Sequence, residues 1–199
     1  MILNCLVTGV GGQGTVLLSR LIGLAAMKRG LEVRGAETIG MAQRGGSVVS
    51  HLRMGSGIHS PLIPKEKADI VIAFEPGEAV RVLSFLSAAG KLLVLNRGVM
   101  PVTGSLGGSL YDPARMVQYL KEAFGKTDRL VVLEGEAIVK KCGSAKVVNT
   151  ALLGAALGMG LLPFGEDDAA RALAERLPPP LLEINLKALK TGKEYAHAF

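Results

Sequence analysis

The stretch Val7-Thr8-Gly9-Val10-Gly11-Gly12-Gln13-Gly14-Thr15 decides the fold of this 199-residue chain. It follows an apolar run at residues 2–7 and precedes a helical pattern that starts near Gln13. A strand, a glycine turn and a helix in this order direct the unpaired backbone N–H groups of the helix start toward an anion. The stretch therefore predicts a βα unit with a ligand-binding turn.

Three glycines of the stretch have the spacing G-x-G-x-x-G that is typical of dinucleotide-binding turns: Gly9, Gly11 and Gly14. In such turns the first glycine makes the tight turn, the second permits close approach of a ligand, and the third lets helix and strand pack together. We expect Gly12 and Gln13 to belong to the same site, Gln13 through hydrogen bonds of its amide to a ligand or a neighbouring subunit. A turn that binds nothing is the alternative, because short motifs match often.

The natural partner of this motif is an acidic residue about 20 positions downstream, which holds a ribose hydroxyl. Glu37 lies 23 positions after Gly14 (37 − 14) and follows the second predicted strand. Glu32 lies 18 positions after Gly14 (32 − 14), but at the start of that strand and hence on the opposite edge of the sheet. A nicotinamide or flavin nucleotide site with Glu37 as the ribose ligand therefore stays open.

Strand and helix patterns alternate along the chain, which predicts a Rossmann-like, doubly wound, mostly parallel sheet with a helical C-terminal third. The predicted strands cover residues 2–8, 31–36, 47–54, 58–62, 70–74, 91–96 and 130–133. The predicted helices cover residues 13–28, 75–89, 113–124, 147–165, 166–177 and 181–190. The turn at residues 55–57 predicts that strands 47–54 and 58–62 form a β-hairpin that extends the sheet.

The composition fits one α/β domain spanning residues 1–199, with 49% hydrophobic and 20% charged residues. The formal charge is +6, but the basic residues are scattered and aromatics make up only 4%, which argues against nucleic-acid binding. Cys5 and Cys142 have neither disulfide nor metal-ligand spacing, and this usage is typical of a reducing cytoplasm. No basic region precedes the first apolar run, so no signal peptide is expected.

Residues 147–165 contain no charged side chain, and their length approaches that of a membrane span. Glycines and polar residues interrupt the apolar pattern, which favours a buried helix over a membrane helix. Gly154 and Gly158 would permit close approach of another backbone. That backbone belongs either to this chain or to a second subunit, and a homodimer stays open.

Other common sites are poorly supported by the sequence. The three histidines, His51, His59 and His197, form no metal-binding spacing with acids or cysteines. A G-x-S-x-G elbow and a G-x-x-x-x-G-K-[ST] loop are both missing from the sequence. Arg44 and Arg53 could hold a carboxylate or phosphate between their guanidinium nitrogens.

The runs Gly9-Val10-Gly11-Gly12-Gln13-Gly14 and Gly40-Met41-Ala42-Gln43-Arg44-Gly45-Gly46-Ser47-Val48-Val49-Ser50-His51 together resemble the gamma-type subunit or domain of 2-oxoacid:ferredoxin oxidoreductases. Within that family they resemble the indolepyruvate type, in which such a chain is the beta subunit. The resemblance extends over nearly the whole chain through five further stretches: Ser60-Pro61-Leu62-Ile63-Pro64, Ala68-Asp69, Phe74-Glu75-Pro76, Asn149 with Gly154 before Gly160-Leu161-Leu162-Pro163, and Glu183-Ile184-Asn185-Leu186-Lys187-Ala188.

The resemblance implies a subunit of an enzyme that oxidatively decarboxylates a 2-oxoacid, forms an acyl-coenzyme A and passes electrons to ferredoxin. Thiamine diphosphate, magnesium and iron–sulfur clusters perform this chemistry in the family. Two cysteines cannot ligate a four-cysteine cluster, and no G-D-G motif is present, so we expect a larger partner subunit to hold these groups. The loop residues Met41, Gln43, Arg44, Gly45 and Gly46, with Ser50, His51 and Arg53, are then expected to face that partner or coenzyme A.

A substitution of Arg44 tests the predicted role of this loop most directly. Its forked donors can bind two oxygens of one anionic group, and loss of such a contact costs about 1.5–3 kcal/mol. We expect Arg44→Ala to keep the fold but to weaken subunit assembly or coenzyme A use by about 10- to 150-fold, with only partial recovery in Arg44→Lys. Activity and subunit affinity of the reconstituted complex measure the effect. Unchanged values for Arg44→Ala would make this loop a surface turn.

Overall fold

A computed structural model describes residues 1–39, 45–96 and 111–196, and these contain a six-stranded sheet. Its strands are β1 (Leu3–Val10), β2 (Glu32–Ile39), β3 (Ser47–Gly55), β4 (Ala68–Ala73), β5 (Leu86–Asn96) and β6 (Leu130–Glu134). The α-helices of the same ranges are α1 (Thr15–Lys28), α2 (Pro76–Arg81), α3 (Pro113–Phe124), α4 (Gly135–Cys142), α5 (Val148–Gly158), α6 (Glu166–Arg176) and α7 (Pro179–Ala196).

The sheet has the strand order β2-β3-β1-β4-β5-β6 and is mostly parallel. β1, β4, β5 and β6 pair in parallel, whereas β3 runs antiparallel to both of its neighbours. One face packs against α1, α5, α6 and α7, and the other packs against α2 and α3. Because both faces are covered, the central strands are mostly apolar, and the predicted α/β class is confirmed.

The predicted hairpin between residues 47–54 and 58–62 is wrong. β3 pairs with β1 on one side and with β2 on the other, so it has no free edge for a third strand. Residues 58–63 instead form an irregular segment that bonds to side chains of β3. Arg53 donates to the backbone carbonyl of Ser60 at 2.9 Å, and the Ile63 N–H donates to Nδ1 of His51 at 3.1 Å.

The predicted helix at residues 75–89 is too long. The observed helix α2 ends at Arg81, a short 3₁₀ turn follows at Leu83–Phe85, and β5 begins at Leu86. Gly90, which follows the predicted helix, lies inside β5 next to a register shift against β4. A Cβ on Gly90 would lie 2.6 Å from the carbonyl oxygen of Ala68, so the close approach of the two strands selects glycine here.

The uncharged segment 147–165 forms a shorter helix than predicted, α5, and the C-terminal helix α7 is longer than predicted. No helix in the described ranges is long and apolar enough to cross a membrane. α5 is buried against α7, and a Cβ on Gly154 would lie 2.0 Å from the carbonyl oxygen of Leu189. A Cβ on Gly192 of α7 would likewise lie 1.9 Å from the carbonyl oxygen of Ala151. The predicted backbone approach is confirmed, and its partner is a helix of this chain.

The close contact between α5 and α7 predicts opposite effects on stability for two glycine-to-alanine substitutions in helices. Gly154→Ala should lower the free energy of unfolding by about 3 kcal/mol, because its methyl group meets a backbone carbonyl. Gly23→Ala in α1 should raise it by about 0.5–1 kcal/mol, since a Cβ there meets only side chains, at 3.5 Å, and alanine favours helix. Urea unfolding of both variants measures the difference. Equal effects would show that α5 and α7 are not in this close contact.

Candidate functional site

The glycine turn connects β1 to α1 at the carboxyl edge of the sheet. β1 ends at Val10 and α1 begins at Thr15, with Gly14 as the N-cap residue at φ 90°. This left-handed backbone is strained for any residue with a Cβ, so the turn requires glycine at position 14. Within the described residues no side chain caps α1, and its first N–H groups have no acceptor within the helix.

Gln13 holds the turn together from inside. Its Oε1 accepts a hydrogen bond from the backbone N–H of Val10 at 2.8 Å, and its Nε2 donates to Oε1 of Glu75 at 2.5 Å. A Cβ on Gly9 would lie 2.8 Å from Oε1 of Gln13, so the glycine at position 9 makes room for this side chain. The amide therefore links β1 to the start of α2, and Gln13 also lines a pocket beside the turn, so its contact with a ligand stays a prediction.

Glu75 is a buried carboxylate at the carboxyl end of β4, with 1% of its surface exposed. The Tyr111 hydroxyl donates to its Oε2 at 3.3 Å and accepts from the N–H of Gly77 at 3.0 Å. Burial raises the pKa of Tyr111 to about 12, and the Glu75 charge adds to this shift. Tyr111 therefore keeps its proton at neutral pH and stays a hydrogen-bond donor to Glu75.

The glycines of the predicted partner loop contact the turn directly. Gly11 donates its N–H to the carbonyl of Gly46 at 2.8 Å, and Gly45 donates to the carbonyl of Gly11 at 3.4 Å. Ser47 then donates its hydroxyl to the buried carboxylate of Glu78 at 2.5 Å. The structure thus brings Gly45 and Gly46 to the turn, whereas Met41, Gln43 and Arg44 lie outside the described residues, and a contact of this loop with a partner or coenzyme A stays a prediction.

A pocket of about 410 Å³ opens on the side of the turn that faces α5. Its lining residues come from four separate segments, three of which lie at or just after the ends of strands at the carboxyl edge of the sheet: Gly12, Gln13, Gly14, Phe74, Leu95, Ala145, Lys146, Val148 and Asn149. Sequence reasoning did not place Lys146 or Asn149 in a site. The only signal for Asn149 was its place in the family resemblance, and Lys146 had none.

The structure does not bring Glu37 beside the turn. β3 lies between β1 and β2, so Glu37 is two strands away from Val7, about 10 Å at the spacing of paired strands. Its Oε1 lies 3.4 Å from Nε of Arg20 on α1. A ribose role for Glu37 stays a prediction, and the inserted strand moves it away from the position that a ribose ligand has in a parallel βαβ unit.

Three further predicted residues lie along β3 and have other neighbours. His51 is buried, accepts the Ile63 N–H and meets the Phe85 ring edge-to-face at 5.5 Å, and burial lowers its pKa. Arg53 pairs with Asn4, six residues along β3 from Ser47 and hence about 20 Å from the turn. Ser50 is buried on the α1 face, and its hydroxyl has no hydrogen-bond partner among the described residues. The structure groups none of the three with the turn.

The cysteines do not fit an iron–sulfur cluster. Cys5 lies in β1 and Cys142 at the end of α4, both are buried free thiols, and burial raises the pKa of Cys5 to about 12. A cluster needs several accessible thiolates close together. In the part of the chain that the structure describes, no group of three or more His, Cys, Asp or Glu residues could hold a metal ion.

The geometry defines an α/β protein whose glycine turn is packed against the antiparallel strand β3 and opens on a pocket toward α5. Residues 4–195 match the family model described as pyruvate ferredoxin/flavodoxin oxidoreductase. The chain belongs to this family.

Similar proteins of known name agree with this assignment. The chain is 38% identical over 196 residues to "Indolepyruvate oxidoreductase subunit IorB" of Archaeoglobus fulgidus, covering 98% of this chain and 96% of that protein. It is 31% identical over 194 residues to the protein of the same name from Thermococcus kodakarensis, covering 97% and 95%.

Solved structures share the fold. The gamma subunit of a keto/oxoacid ferredoxin oxidoreductase from Geobacter sulfurreducens matches with a TM-score of 0.69 at 21% identity, covering 99% of both chains. The 2-oxoglutarate:ferredoxin oxidoreductase from Magnetococcus marinus matches with a TM-score of 0.72 at 19% identity, covering 100% of this chain and 31% of that one. At these identities the likeness establishes the fold.

Gln13 gives a direct test of the turn. Gln13→Ala removes the acceptor of the buried Val10 N–H and a donor to Glu75, which should lower the free energy of unfolding by about 1–3 kcal/mol. Gln118→Ala is the matched control, because Gln118 is exposed on α3 and its side chain bonds, among the described residues, to the nearby Glu122. It should change stability by less than about 0.5 kcal/mol. Denaturant unfolding and hydrogen exchange at the Val10 amide measure both. An unchanged hydrogen-exchange rate of the Val10 amide in Gln13→Ala would show that the Gln13 side chain does not hold the turn.

Proposed function

We propose that this chain is a subunit of a cytoplasmic 2-oxoacid:ferredoxin oxidoreductase of the indolepyruvate type. The overall reaction converts an aryl 2-oxoacid, coenzyme A and two oxidised ferredoxins into acyl-coenzyme A, CO₂, two reduced ferredoxins and a proton. Support comes from the relatives named indolepyruvate oxidoreductase subunit, which are 31–38% identical to this chain and match 95% or more of its length.

The redox chemistry belongs to a larger partner subunit. Decarboxylation of a 2-oxoacid requires thiamine diphosphate with magnesium, and single-electron transfer to ferredoxin requires iron–sulfur clusters. The two buried cysteines and the lack of a metal-binding group in the described residues support placing these groups on the partner. Ferredoxin is reached through the complex, and this chain supplies binding surfaces and no electron-transfer centre.

The main observation that supports a role in binding is the pocket at the carboxyl edge of the sheet. The Gln13–Glu75 contact holds the turn in a fixed shape, and Gly12, Gly14, Lys146 and Asn149 face the open space beside it. Pockets of about 300–1,000 Å³ with a few convergent polar groups are typical ligand sites. In our proposal this side of the chain shapes the access route for coenzyme A. The Magnetococcus marinus enzyme that shares the fold was solved with coenzyme A bound.

The alternative from the sequence is a free-standing oxidoreductase that binds a dinucleotide at Gly9, Gly11 and Gly14 with Glu37. That function needs Glu37 within reach of a ribose at the turn. Glu37 is instead paired with Arg20 on the far side of β3. A second alternative is a purely structural partner whose glycine turn only fits the neighbouring chain. The polar pocket beside the turn favours a ligand-contacting role over this one.

Reconstitution tests the proposal. The purified chain alone should show no turnover with indolepyruvate, coenzyme A, thiamine diphosphate, magnesium and an artificial electron acceptor. Addition of the larger subunit encoded by the same organism should give coenzyme A-dependent reduction of the acceptor. Turnover by the isolated chain comparable to that of a complete complex would overturn the subunit assignment, as would an active larger subunit that gains nothing from this chain.

A further inference from the structure

The sheet has an open edge at β2. This strand pairs with β3 on one side, and no described strand pairs with its other side. It is eight residues long, its register against β3 is continuous, and its sequence contains neither proline nor lysine. Proteins commonly protect a free edge with such residues or with a bulge. The edge of β2 therefore has the features of a strand that accepts a further strand.

The hydrogen bonds of β3 show which backbone groups of β2 point outward. The Val48 carbonyl accepts the Thr8 hydroxyl from β1 at 3.2 Å, and the Val49 carbonyl accepts the Thr38 hydroxyl from β2 at 2.9 Å. Val49 lies opposite Thr38, and residues of an antiparallel strand face alternate neighbours, so Thr38 directs its backbone groups toward β3. The residues of β2 that direct their N–H and C=O groups away from the sheet are then the alternate ones: Val33, Gly35 and Glu37.

The charged side chains of β2 are already paired within the chain. Nε of Arg34 donates to Oε1 of Glu32 at 3.2 Å, and Oε2 of Glu32 accepts the N–H of Gly57 at 3.1 Å. Oε1 of Glu37 lies 3.4 Å from Nε of Arg20. Because two acids and two arginines balance here, the edge carries no net charge that would repel a second strand.

An apolar groove of about 640 Å³ lies beside this edge, on the face of β2 that α1 flanks. Val33 and Leu52 of the sheet line it together with Leu24 and Met27 of α1, and Met27 is 60% exposed. An added strand places every second side chain on this face, next to the groove. An open edge with a groove for alternate side chains is the arrangement by which sheets bind a further strand.

The charge pattern of β2 is complementary to a second copy of itself. In a two-fold antiparallel pair the register is defined by the residue that lies on the axis. An axis at Arg34 or at Glu37 would place like charges directly opposite each other, which is destabilising. An axis at Gly35 or at Ala36 avoids like-charged pairs and still pairs seven of the eight residues of each strand.

We propose that this chain forms a two-fold homodimer through β2. The two β2 strands pair antiparallel through the outward backbone groups of Val33, Gly35 and Glu37, and the two six-stranded sheets become one continuous sheet. The groove of each copy then faces the joint between them and is covered there. The dimer goes beyond the proposed function and does not depend on it.

Sedimentation of the full chain over a concentration series tests the dimer, together with hydrogen exchange of the β2 amides. A reversible dimer is expected, with slowed exchange at residues 33, 35 and 37 as the dimer forms. Residues 34, 36 and 38 donate toward β3 and serve as internal controls, because their exchange should be slow in monomer and dimer alike. A chain that stays monomeric throughout the series would overturn the proposal.

Thr38→Lys and Thr38→Glu are a matched pair of variants, because Thr38 is exposed and both lose the same bond to the Val49 carbonyl. Position 38 lies opposite Glu32 of the second copy when the axis is at Gly35, and opposite Arg34 when it is at Ala36. The symmetry makes each charge pair occur twice, so the two dissociation constants should differ by about 10-fold or more. The sign of the difference identifies the axis, and equal constants would overturn pairing through β2.

Gly35→Pro removes one outward N–H without removing a bond to β3, and a Cβ at this position makes only ordinary contacts, at 3.5 Å or more. This variant should be monomeric, whereas the control Gly35→Ala keeps the N–H and should stay dimeric. Circular dichroism checks the fold of both. A folded Gly35→Pro variant that dimerises like the wild type would overturn the proposal.

Addition of the larger subunit tests a different occupant of the edge. Protection of residues 33, 35 and 37 that appears only after this addition would assign the edge to the larger subunit and overturn the homodimer. The homodimer instead predicts two copies of this chain in each reconstituted complex. Stoichiometry is measured independently of turnover, so an inactive complex with two copies would refute the proposed function alone, and an active complex with one copy would refute the homodimer alone.

Discussion

The amide of Gln13 is the contact on which the rest of the site depends. It accepts the Val10 N–H where β1 ends and donates to Glu75 where β4 ends, so one side chain joins two parallel strands across the turn. The two bonds together fix the orientation of the amide. A reversed amide would place its NH₂ group against the Val10 N–H and its oxygen against the Glu75 carboxylate. Glu75 in turn is held by Tyr111, and a buried carboxylate is stable only with such donors.

The antiparallel strand β3 changes what a glycine fingerprint means in this fold. In a parallel dinucleotide-binding sheet the second strand lies next to the first, and its terminal acid reaches the ribose. Here β3 occupies that place and extends the ladder into the turn, where Gly45 and Gly46 bond to Gly11. Glu37 is displaced to the edge strand and pairs with Arg20. The backbone of residues 45–46 therefore contacts the turn at Gly11, and pockets open both toward α5 and between the turn, Arg20 and Val48 of β3.

Local patterns predicted much of the fold and less of the site. Apolar runs and glycines located β1, α1 and α3, and the small residues of α5 predicted its close helix contact, because these features depend on neighbouring residues. The pairing of β3 could not be read from periodicity, since an alternating strand fits either side of a sheet. Lys146 and Asn149 are more than 130 positions from Gly14 (149 − 14 = 135), and only tertiary packing brings them to the turn.

The two sides of the turn thus differ: the inner side is held by hydrogen bonds, and the outer side lines the pocket. The inner side is closed by Gln13, Glu75 and Tyr111, which give it a fixed shape without help from a ligand. The outer side lines a pocket, and Gly14 serves both sides, since its left-handed backbone makes the turn and its missing Cβ leaves room for the Asn149 amide. A turn held in this way keeps its shape without a ligand, so a ligand that binds beside it would not have to order the loop first. Preorganisation of this kind fits the proposed role, in which this chain shapes an access route and a partner subunit performs the chemistry.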